Sequence, residues 1–152
     1  MNIVLVNPEI PHNTGAIGRT CLMTGAKLHL VRPYGFFLDE KSLKRSGLDY
    51  WKKINLCEYD SFRDFQTQNP GARIFLVETG DNKNYTDVAF ENDDFLVFGC
   101  ETTGLPSWIL DEYPHSRIKI PMVGEDRSLN LSVSVGIVLY EALRQNSFCG
   151  LV

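Results

Sequence analysis

Short apolar segments recur along the chain, and glycine, proline or small polar residues follow most of them. Within each segment the apolar residues are nearly continuous and rich in Ile, Val, Leu and Phe, which is typical of strands buried on both faces. The segments are residues 3–6, 28–31, 54–59, 73–78, 95–98 and 117–120. We therefore expect an α/β fold with a mostly parallel sheet and helices on both of its faces.

Other segments predict helices. Residues 13–23 lie between Pro11 and Gly25, both of which limit a helix, so we expect one there. Asn13 or Thr14 is expected near its N-cap. Further helices are expected over residues 39–46, 61–68 and 130–145.

The helix expected over residues 130–145 is apolar nearly all round rather than along one stripe. Its apolar residues are Leu131, Val133, Val135, Ile137, Val138, Leu139, Ala142 and Leu143. In a small domain a sheet covers only one side of such a helix. Either a second subunit or an unusually enveloping chain path must therefore cover the other side.

The composition is that of an ordinary globular domain, with 43% hydrophobic and 22% charged residues among 152. We expect a single domain over residues 1–152, without linkers or internal repeats. No apolar run approaches the length needed to span a membrane, so we expect no membrane partner. The amino terminus lacks the basic start of a signal peptide, and a cytoplasmic location is expected.

The net charge of −4 gives no general attraction to nucleic acid, so any polyanion must be held by a local patch. Lys41, Lys44, Arg45, Lys52 and Lys53 form one candidate patch. The alternative is a solvated basic face. The four cysteines and three histidines show no metal-ligand spacing, and we expect no metal.

Polar residues after the predicted strands are the candidates for chemistry, because ligands bind beyond the carboxyl ends of parallel strands. Residues 7–15 lead to Arg19, Glu101 lies between two glycine-bearing turns, and residues 127–130 open the last helix. The glycine motifs of dinucleotide and P-loop proteins and the serine-hydrolase elbow are absent.

Simpler roles for the same residues stay open at this point. Ser128 or Asn130 would serve as a helix cap by accepting backbone N–H groups. Glu101 would satisfy the amides of a loop, and Arg19 would pair with an acid. Only the joint appearance of these residues at predicted strand exits favours a functional site.

Three segments resemble the signature motifs of the SPOUT superfamily of S-adenosylmethionine-dependent RNA methyltransferases. They are residues 7–15 with Arg19, residues 98–106, and residues 120–132 followed by residues 140–142. Together with residues 47–50 they look most like the small tRNA (cytidine/uridine) 2′-O-methyltransferases that modify the wobble nucleotide. The resemblance spans nearly the whole chain. The sequence departs from the family pattern at residues 133–135, directly after residues 120–132.

The resemblance implies a trefoil knot in the C-terminal half, a homodimer with cofactor pockets near its interface, and S-adenosylmethionine as the cofactor. It implies cofactor contacts at Val77, Gly99, Glu101, Gly104, Ile120, Ser128 and Leu129. It implies catalytic roles for Asn13, Arg19, Glu101 and Asn130. The implied substrate is the ribose 2′-hydroxyl of the wobble nucleotide of tRNA.

Such a reaction needs an aligned hydroxyl and an acceptor for its proton. The resemblance puts Arg19 nearest that hydroxyl. A guanidinium is not deprotonated in proteins, so we favour a bidentate grip on the adjacent RNA phosphate. We rank Glu101 as an organiser of the pocket first and as a base second.

Aromatic residues flank the basic segment of residues 41–53, and single-stranded bases stack on aromatic rings. These residues are Tyr34, Phe36, Phe37, Tyr50 and Trp51. We expect this region to hold the anticodon stem-loop of the tRNA. The simpler alternative makes the aromatic residues part of the core and the lysines a solubilising surface.

Three other functions remain possible from the sequence. The first is 2′-O-methylation of another tRNA or rRNA site. The second is a non-catalytic dimeric RNA-binding module. The third, a flavodoxin-like nucleotide or flavin binder, suits the composition but leaves the three motifs unexplained.

Overall fold

The structure, a computed structural model, describes residues 1–36, 50–124 and 128–152. Within these ranges seven strands form one sheet in which every pairing is parallel. The strands are β1 (Asn2–Val6), β2 (Lys27–Val31), β3 (Leu56–Tyr59), β4 (Ile74–Val77), β5 (Lys83–Asn84), β6 (Phe95–Phe98) and β7 (Arg117–Lys119). The helices are α1 (Pro11–Thr24), α2 (Phe62–Gln68), α3 (Ser107–Glu112) and α4 (Leu131–Gln145), with 3-10 turns at Trp51–Lys53 and Tyr85–Asp87. The predicted parallel sheet is confirmed.

The strand order across the sheet is β3-β2-β1-β6-β4-β7-β5. Strand β6 thus lies between β1 and β4, and β7 lies between β4 and β5, although both come late in the chain. Because all strands run in one direction, the loops after β1, β4, β6 and β7 leave the same edge of the sheet. Those loops carry most of the predicted site residues.

Helices cover both faces of the sheet. Alternate residues of a strand point to opposite faces, so each central strand contributes to two cores. In β1, Ile3 and Leu5 belong to the core that includes residues of α1 and α4. Val4 and Val6 belong to a second core that includes residues of α2 and α3. The predicted placement of helices on both faces is confirmed.

Helix α4 has one covered side and one open side. Its buried residues are Leu131, Val135, Val138, Leu139, Ala142 and Leu143. Val133 and Tyr140 remain 49% and 50% exposed. The all-round apolar pattern therefore corresponds to one core face and one apolar face that no described part of the chain covers.

Helix α1 begins at Pro11, and its N-cap residue is Ile10. The helix begins two residues earlier than predicted, and neither Asn13 nor Thr14 is its cap. Proline suits the first helical position because the N–H that it lacks would be unpaired there. Asn13 lies inside the first turn, where it is buried and its amide contacts other loops rather than its own helix.

The other helix starts agree with the sequence. Ser61 caps α2 by accepting the N–H of Asp64, and Asn130 caps α4 by accepting the N–H of Ser132. Strand β5 and helix α3 were not predicted. The strand is two residues long without an apolar signal, and α3 has six residues and no side-chain cap.

Some predictions fall outside the described residues. The surface helix over residues 39–46 lies there, as do Phe37, Lys41, Lys44 and Arg45 of the expected RNA-binding region. Within the described ranges, no helix is both long enough and apolar enough to cross a membrane.

His29 of β2 is 1% exposed and lies among aromatic rings. Its Nδ1 atom is 2.8 Å from the Tyr59 hydroxyl, and its Nε2 atom is 3.2 Å from Oδ1 of Asn2. Burial lowers the pKa of His29 to about 4, and the charge of Lys27 adds to this effect. The ring is therefore neutral in the folded protein near neutral pH.

Acidification should destabilise the fold through His29. An unfolded histidine titrates near pH 6.5, so the contribution of the neutral ring is complete above that pH and is lost as the pH falls toward 4. Between pH 7 and pH 5 this amounts to about 2 kcal/mol of the free energy of unfolding. The measurement is urea unfolding at both pH values. The loss of unfolding free energy between pH 7 and pH 5 should be smaller by that amount in His29→Gln than in the unaltered protein.

The exposed His115 provides the matched control. We expect His115→Gln to keep the pH dependence of the unaltered protein. An identical pH dependence in His29→Gln and His115→Gln would contradict the prediction.

Candidate functional site

A cavity of about 450 Å³ opens at the carboxyl edge of the sheet, between the loops after β1, β4, β6 and β7 and the start of α4. All the residues predicted to contact a cofactor lie on its wall, namely Val77, Gly99, Glu101, Gly104, Ile120, Ser128 and Leu129. Asn13 and Asn130 line it as well. Segments that are distant in the sequence thus converge on one hollow.

Two glycines let the loop after β6 fold back on itself. A Cβ atom at Gly99 would lie 2.1 Å from the carbonyl carbon of Gly104 and 2.2 Å from the nitrogen of Leu105. Gly104 has a φ of +69° and donates its N–H to the Cys100 carbonyl at 3.0 Å. Backbone atoms therefore meet where side chains would otherwise keep them apart.

Glu78, the residue after β4, holds that turn in place. Its Oε1 atom accepts the N–H of Leu105 at 3.1 Å and would lie 2.8 Å from a Cβ atom on Gly104. Glu78 also lines the cavity. The wall thus carries a carboxylate that the sequence analysis did not single out.

Glu101 binds the start of α1 through its carboxylate. Its Oε2 atom accepts the N–H of Glu9 at 2.8 Å, and its Oε1 atom accepts from Ile10 N–H at 3.1 Å and from Nδ2 of Asn13 at 3.0 Å. Helix α1 has neither a side-chain cap nor an acid in its first turn. Glu101 therefore supplies the negative charge that a helix amino terminus favours, while it satisfies loop amides.

Glu9 in turn binds the residue that follows Glu101. Its carboxylate accepts the N–H of Thr102 at 3.2 Å and the Thr102 hydroxyl at 2.8 and 2.9 Å. Gly35 donates its N–H to the Pro8 carbonyl at 2.9 Å, and a Cβ atom on it would lie 2.8 Å from Cα of Glu9. The loops after β1, β2 and β6 are thereby fixed to one another.

Asn13 links Glu101 to the last helix. Its Nδ2 atom donates to Glu101, and its Oδ1 atom accepts from Nδ2 of Asn130 at 2.9 Å. Oδ1 of Asn130 accepts the N–H and the hydroxyl of Ser132 at 2.9 and 2.6 Å. The structure thus brings three of the predicted catalytic residues, Asn13, Glu101 and Asn130, into one chain of hydrogen bonds.

Arg19 is not among the residues of the cavity wall in the described part of the chain. It is exposed, and its guanidinium carbon lies 5.9 Å from the centre of the Tyr50 ring. It follows Asn13 by six residues, or about 9 Å along the axis of α1. Within the described residues it forms no ion pair, so the acid partner considered from sequence is not observed there.

Part of the expected RNA-binding region is described. Tyr34 and Phe36 stack with ring centres 5.8 Å apart, and the guanidinium of Arg32 lies 5.5 Å from the centre of the Tyr34 ring. Arg32 also pairs with Glu58 and Asp60. This cluster follows β2, at the same edge of the sheet as the cavity.

The part of the chain that the structure describes contains no group of three or more His, Cys, Asp or Glu side chains placed to hold a metal ion. All four cysteines are free, and they range from the buried Cys21 to the exposed Cys149. Burial raises the pKa of the Cys21 thiol to about 12, which leaves it protonated and unreactive.

Glu9, Glu78 and Thr102 belong to the site but were missed as individual residues. Each is a neighbour of a predicted residue or lies inside a predicted motif, so the segments were right. The one signal for Glu78 in the sequence is that it ends the predicted strand of residues 73–78, at the edge of a parallel sheet where ligands bind.

Comparison with known proteins adds to this geometry. Residues 1–140 match the SpoU rRNA Methylase family. The tRNA (cytidine(34)-2'-O)-methyltransferase of Escherichia coli strain K12 is 45% identical over 154 residues, which cover 100% of this chain and 98% of that protein.

Solved structures of RNA methyltransferases are similar to this structure over nearly its whole chain. A protein studied for the 2-OH methylation of C/U34 on tRNA has a TM-score of 0.89 and 44% identity, with 96% of this chain and 95% of that chain covered. An AdoMet-bound rRNA methyltransferase from Sinorhizobium meliloti has a TM-score of 0.79 and 27% identity, with 94% of this chain and 55% of that chain covered.

The parallel sheet is thus that of an α/β RNA methyltransferase. With its first 140 residues matched to the family model, the chain belongs to the SpoU rRNA methylase family.

Gly99→Ala should disrupt the cavity. The added methyl would overlap the backbone of residues 104–105, which must then move away from the wall. We expect the affinity for S-adenosylhomocysteine, measured by calorimetry, to fall about tenfold or more. This equals a loss of about 1.4 kcal/mol or more of binding free energy.

Gly71→Ala is the control, because no heavy atom lies within 4 Å of the added carbon; unlike Gly99, Gly71 has a positive φ, which disfavours alanine. That variant should lose some stability and keep its affinity. Unchanged affinity in Gly99→Ala would show that the contact between Gly99 and Gly104 does not shape the cavity.

Proposed function

We propose that this protein is an S-adenosylmethionine-dependent 2′-O-ribose methyltransferase that modifies the wobble nucleotide, a cytidine or a 5-modified uridine, of tRNA. The observation that carries the proposal is the convergence of residues after β4, β6 and β7 and before α4 on one cavity. Full-length similarity to a tRNA (cytidine(34)-2'-O)-methyltransferase supports the substrate.

The residues of the cavity suit S-adenosylmethionine. Val77, Ile120 and Leu129 offer apolar surface for an adenine ring, and Glu78 and Ser128 offer polar groups. A Cβ atom at Gly99 would fill the place of the neighbouring backbone, so the wall there is backbone. The AdoMet complex of the relative from Sinorhizobium meliloti supports S-adenosylmethionine as the cofactor.

When bound, S-adenosylmethionine supplies a methyl group on a cationic sulfonium, and because the sulfur leaves as a neutral thioether, no acid is needed. The protein must then orient the ribose hydroxyl and receive its proton. Asn13 and Asn130 are held by each other and by Glu101, so their positions at the cavity are fixed before substrate arrives. This preorganisation is the contribution that we assign to the three residues.

Glu101 acts as an organiser rather than as the base. Its two oxygens already accept three hydrogen bonds, from Glu9, Ile10 and Asn13. Protonating this carboxylate would weaken all three contacts and loosen the start of α1. Water or a phosphate oxygen of the RNA is the better acceptor for the proton.

Arg19 holds an RNA phosphate. Its guanidinium is exposed and has no carboxylate partner among the described residues. A guanidinium binds phosphate through two parallel hydrogen bonds, which would fix the adjacent ribose. With an overall charge of −4, the protein depends on such local cations for RNA.

The anticodon stem-loop is the part of the tRNA that we expect the protein to hold. A wobble base is unpaired and stacks readily on aromatic rings. Tyr34 and Phe36 offer a stacked pair at the cavity edge of the sheet, with Arg32 beside it. Lys52 and Lys53 are exposed on the turn that follows Tyr50.

A homodimer accounts for the open face of α4. Val133, Ile137 and Tyr140 are spaced to share one side of the helix, and Val133 and Tyr140 are half exposed. Helix α1 packs beside α4 and exposes 64% of Met23. A second copy of the chain would cover this apolar surface and would bring Arg19 close to the border between subunits.

The proposal also includes the domain organisation, the chain topology and the location of the protein. Residues 1–152 would form one SPOUT methyltransferase domain. A trefoil knot in its C-terminal half suits a sheet in which β6 and β7 lie between strands made earlier. Cytoplasmic tRNA as the substrate implies a cytoplasmic enzyme.

The test of the function is transfer of a labelled methyl group from S-adenosylmethionine to total tRNA, followed by mapping of the modified ribose. We expect the label at the wobble nucleotide. Arg19→Ala should slow single-turnover transfer by about 100-fold through misplacement of the ribose, while its affinity for S-adenosylhomocysteine stays within about twofold.

Label at another tRNA position would replace the wobble assignment, as would label in total rRNA assayed in parallel with none in tRNA. No label, together with no heat of S-adenosylhomocysteine binding, would favour the non-catalytic RNA-binding module. Loss of cofactor affinity in Arg19→Ala would remove the phosphate role.

The dimer is tested by molar mass in solution. The unaltered protein should have twice the mass of the chain, and Tyr140→Asp should shift it toward the monomer because a buried charge opposes association. Val152→Asp, at the exposed C-terminus, should stay dimeric. A monomeric mass for the unaltered protein would contradict the proposal.

A further inference from the structure

Tyr50, the residue before the 3-10 turn Trp51–Lys53, is bonded to helix α1. Its hydroxyl donates to the Gly15 carbonyl at 2.9 Å. In an α-helix the carbonyl of Gly15 also accepts the N–H of Arg19, four residues later. Tyr50 is therefore bonded to the turn of helix that carries Arg19.

The ring of Tyr50 also meets the side chain of Arg19. The distance of 5.9 Å from the guanidinium carbon to the ring centre is within the range in which an aromatic face attracts a cation. Burial raises the pKa of Tyr50, and the charge of Arg19 opposes that shift. The hydroxyl thus stays a donor to Gly15 at neutral pH.

Packing against a glycine keeps Tyr50 in this position. A Cβ atom at Gly18 would lie 2.7 Å from Cδ1 of Ile54 and 2.8 Å from Cζ3 of Trp51. The 3-10 turn that begins at Trp51 therefore fits against α1 only because residue 18 has no side chain. Tyr50 lies directly before that turn. It is therefore fixed to α1 both by its hydroxyl bond to Gly15 and by the packing of the turn against Gly18.

We propose that Tyr50 is a positioning residue for the methyl transfer, acting through Arg19. The ring and the bond to Gly15 hold the guanidinium in one direction, so it does not lose that freedom when it binds the RNA phosphate. The inference rests on the proposed function, because the role of Arg19 does. It adds a residue that neither lines the cavity nor touches the reacting atoms.

The first experiment needs no activity. In the protein without ligands, the Nε–Hε NMR signal of Arg19, assigned by its loss in Arg19→Ala, should be shielded by the Tyr50 ring. It should move downfield in Tyr50→Leu and stay near its place in Tyr50→Phe, which keeps the ring. A signal that does not respond to Tyr50→Leu would overturn the inference, even if the enzyme is active.

The second experiment is a double-mutant cycle in single-turnover methyl transfer at saturating tRNA and S-adenosylmethionine. Tyr50→Leu should slow transfer by about 10- to 100-fold, with the affinity for S-adenosylhomocysteine within about twofold. In the Arg19→Ala background the same change should cost less than about twofold, because the residue it acts through is gone.

Equal losses in both backgrounds, or loss of cofactor affinity in Tyr50→Leu, would show a merely structural role. Tyr113→Leu is the control, since Tyr113 is also half-buried and bonded through its hydroxyl, to Gln66, away from α1. It should lower stability without changing the transfer rate. Absence of transfer in the unaltered protein would refute the proposed function, and the NMR result would still decide the contact.

Discussion

The carboxylate of Glu101 is the contact on which the site depends. It holds the two residues before α1 and the amide of Asn13, and through Asn13 it reaches the cap of α4. Three segments that are far apart in the chain thus share one charge-assisted network. Removing this partially buried acceptor would leave three donors unpaired at once, so we expect it to cost more than the loss of one hydrogen bond.

The same network explains how caps and chemistry coexist. Asn130 satisfies the first N–H groups of α4 with one atom of its amide and meets Asn13 with the other. A residue that stabilises the fold therefore also orients the wall of the cavity. The alternative roles open from sequence, cap or functional residue, do not exclude one another here.

The sequence predicted six of the seven strands and the segments of the site, because buried parallel strands and the turns after them have local patterns. It misplaced the start of α1, since the Asn13 amide is used by Glu101 and Asn130, a choice that local propensity does not record. Glu9 and Glu78 were missed because their importance comes from long-range partners, Thr102 and Leu105. The contact between Arg19 and Tyr50 is likewise visible only in three dimensions.

The position of residues 128–134, after every strand of the described ranges, has a consequence for biosynthesis. The wall of the cavity needs Ser128, Leu129 and Ser134, which leave the ribosome after all the strands have been made. A nascent chain that lacks the last helix has no complete ligand site, however much of its sheet has paired. The wall of the cavity is therefore completed only after the segment through Ser134 has been made.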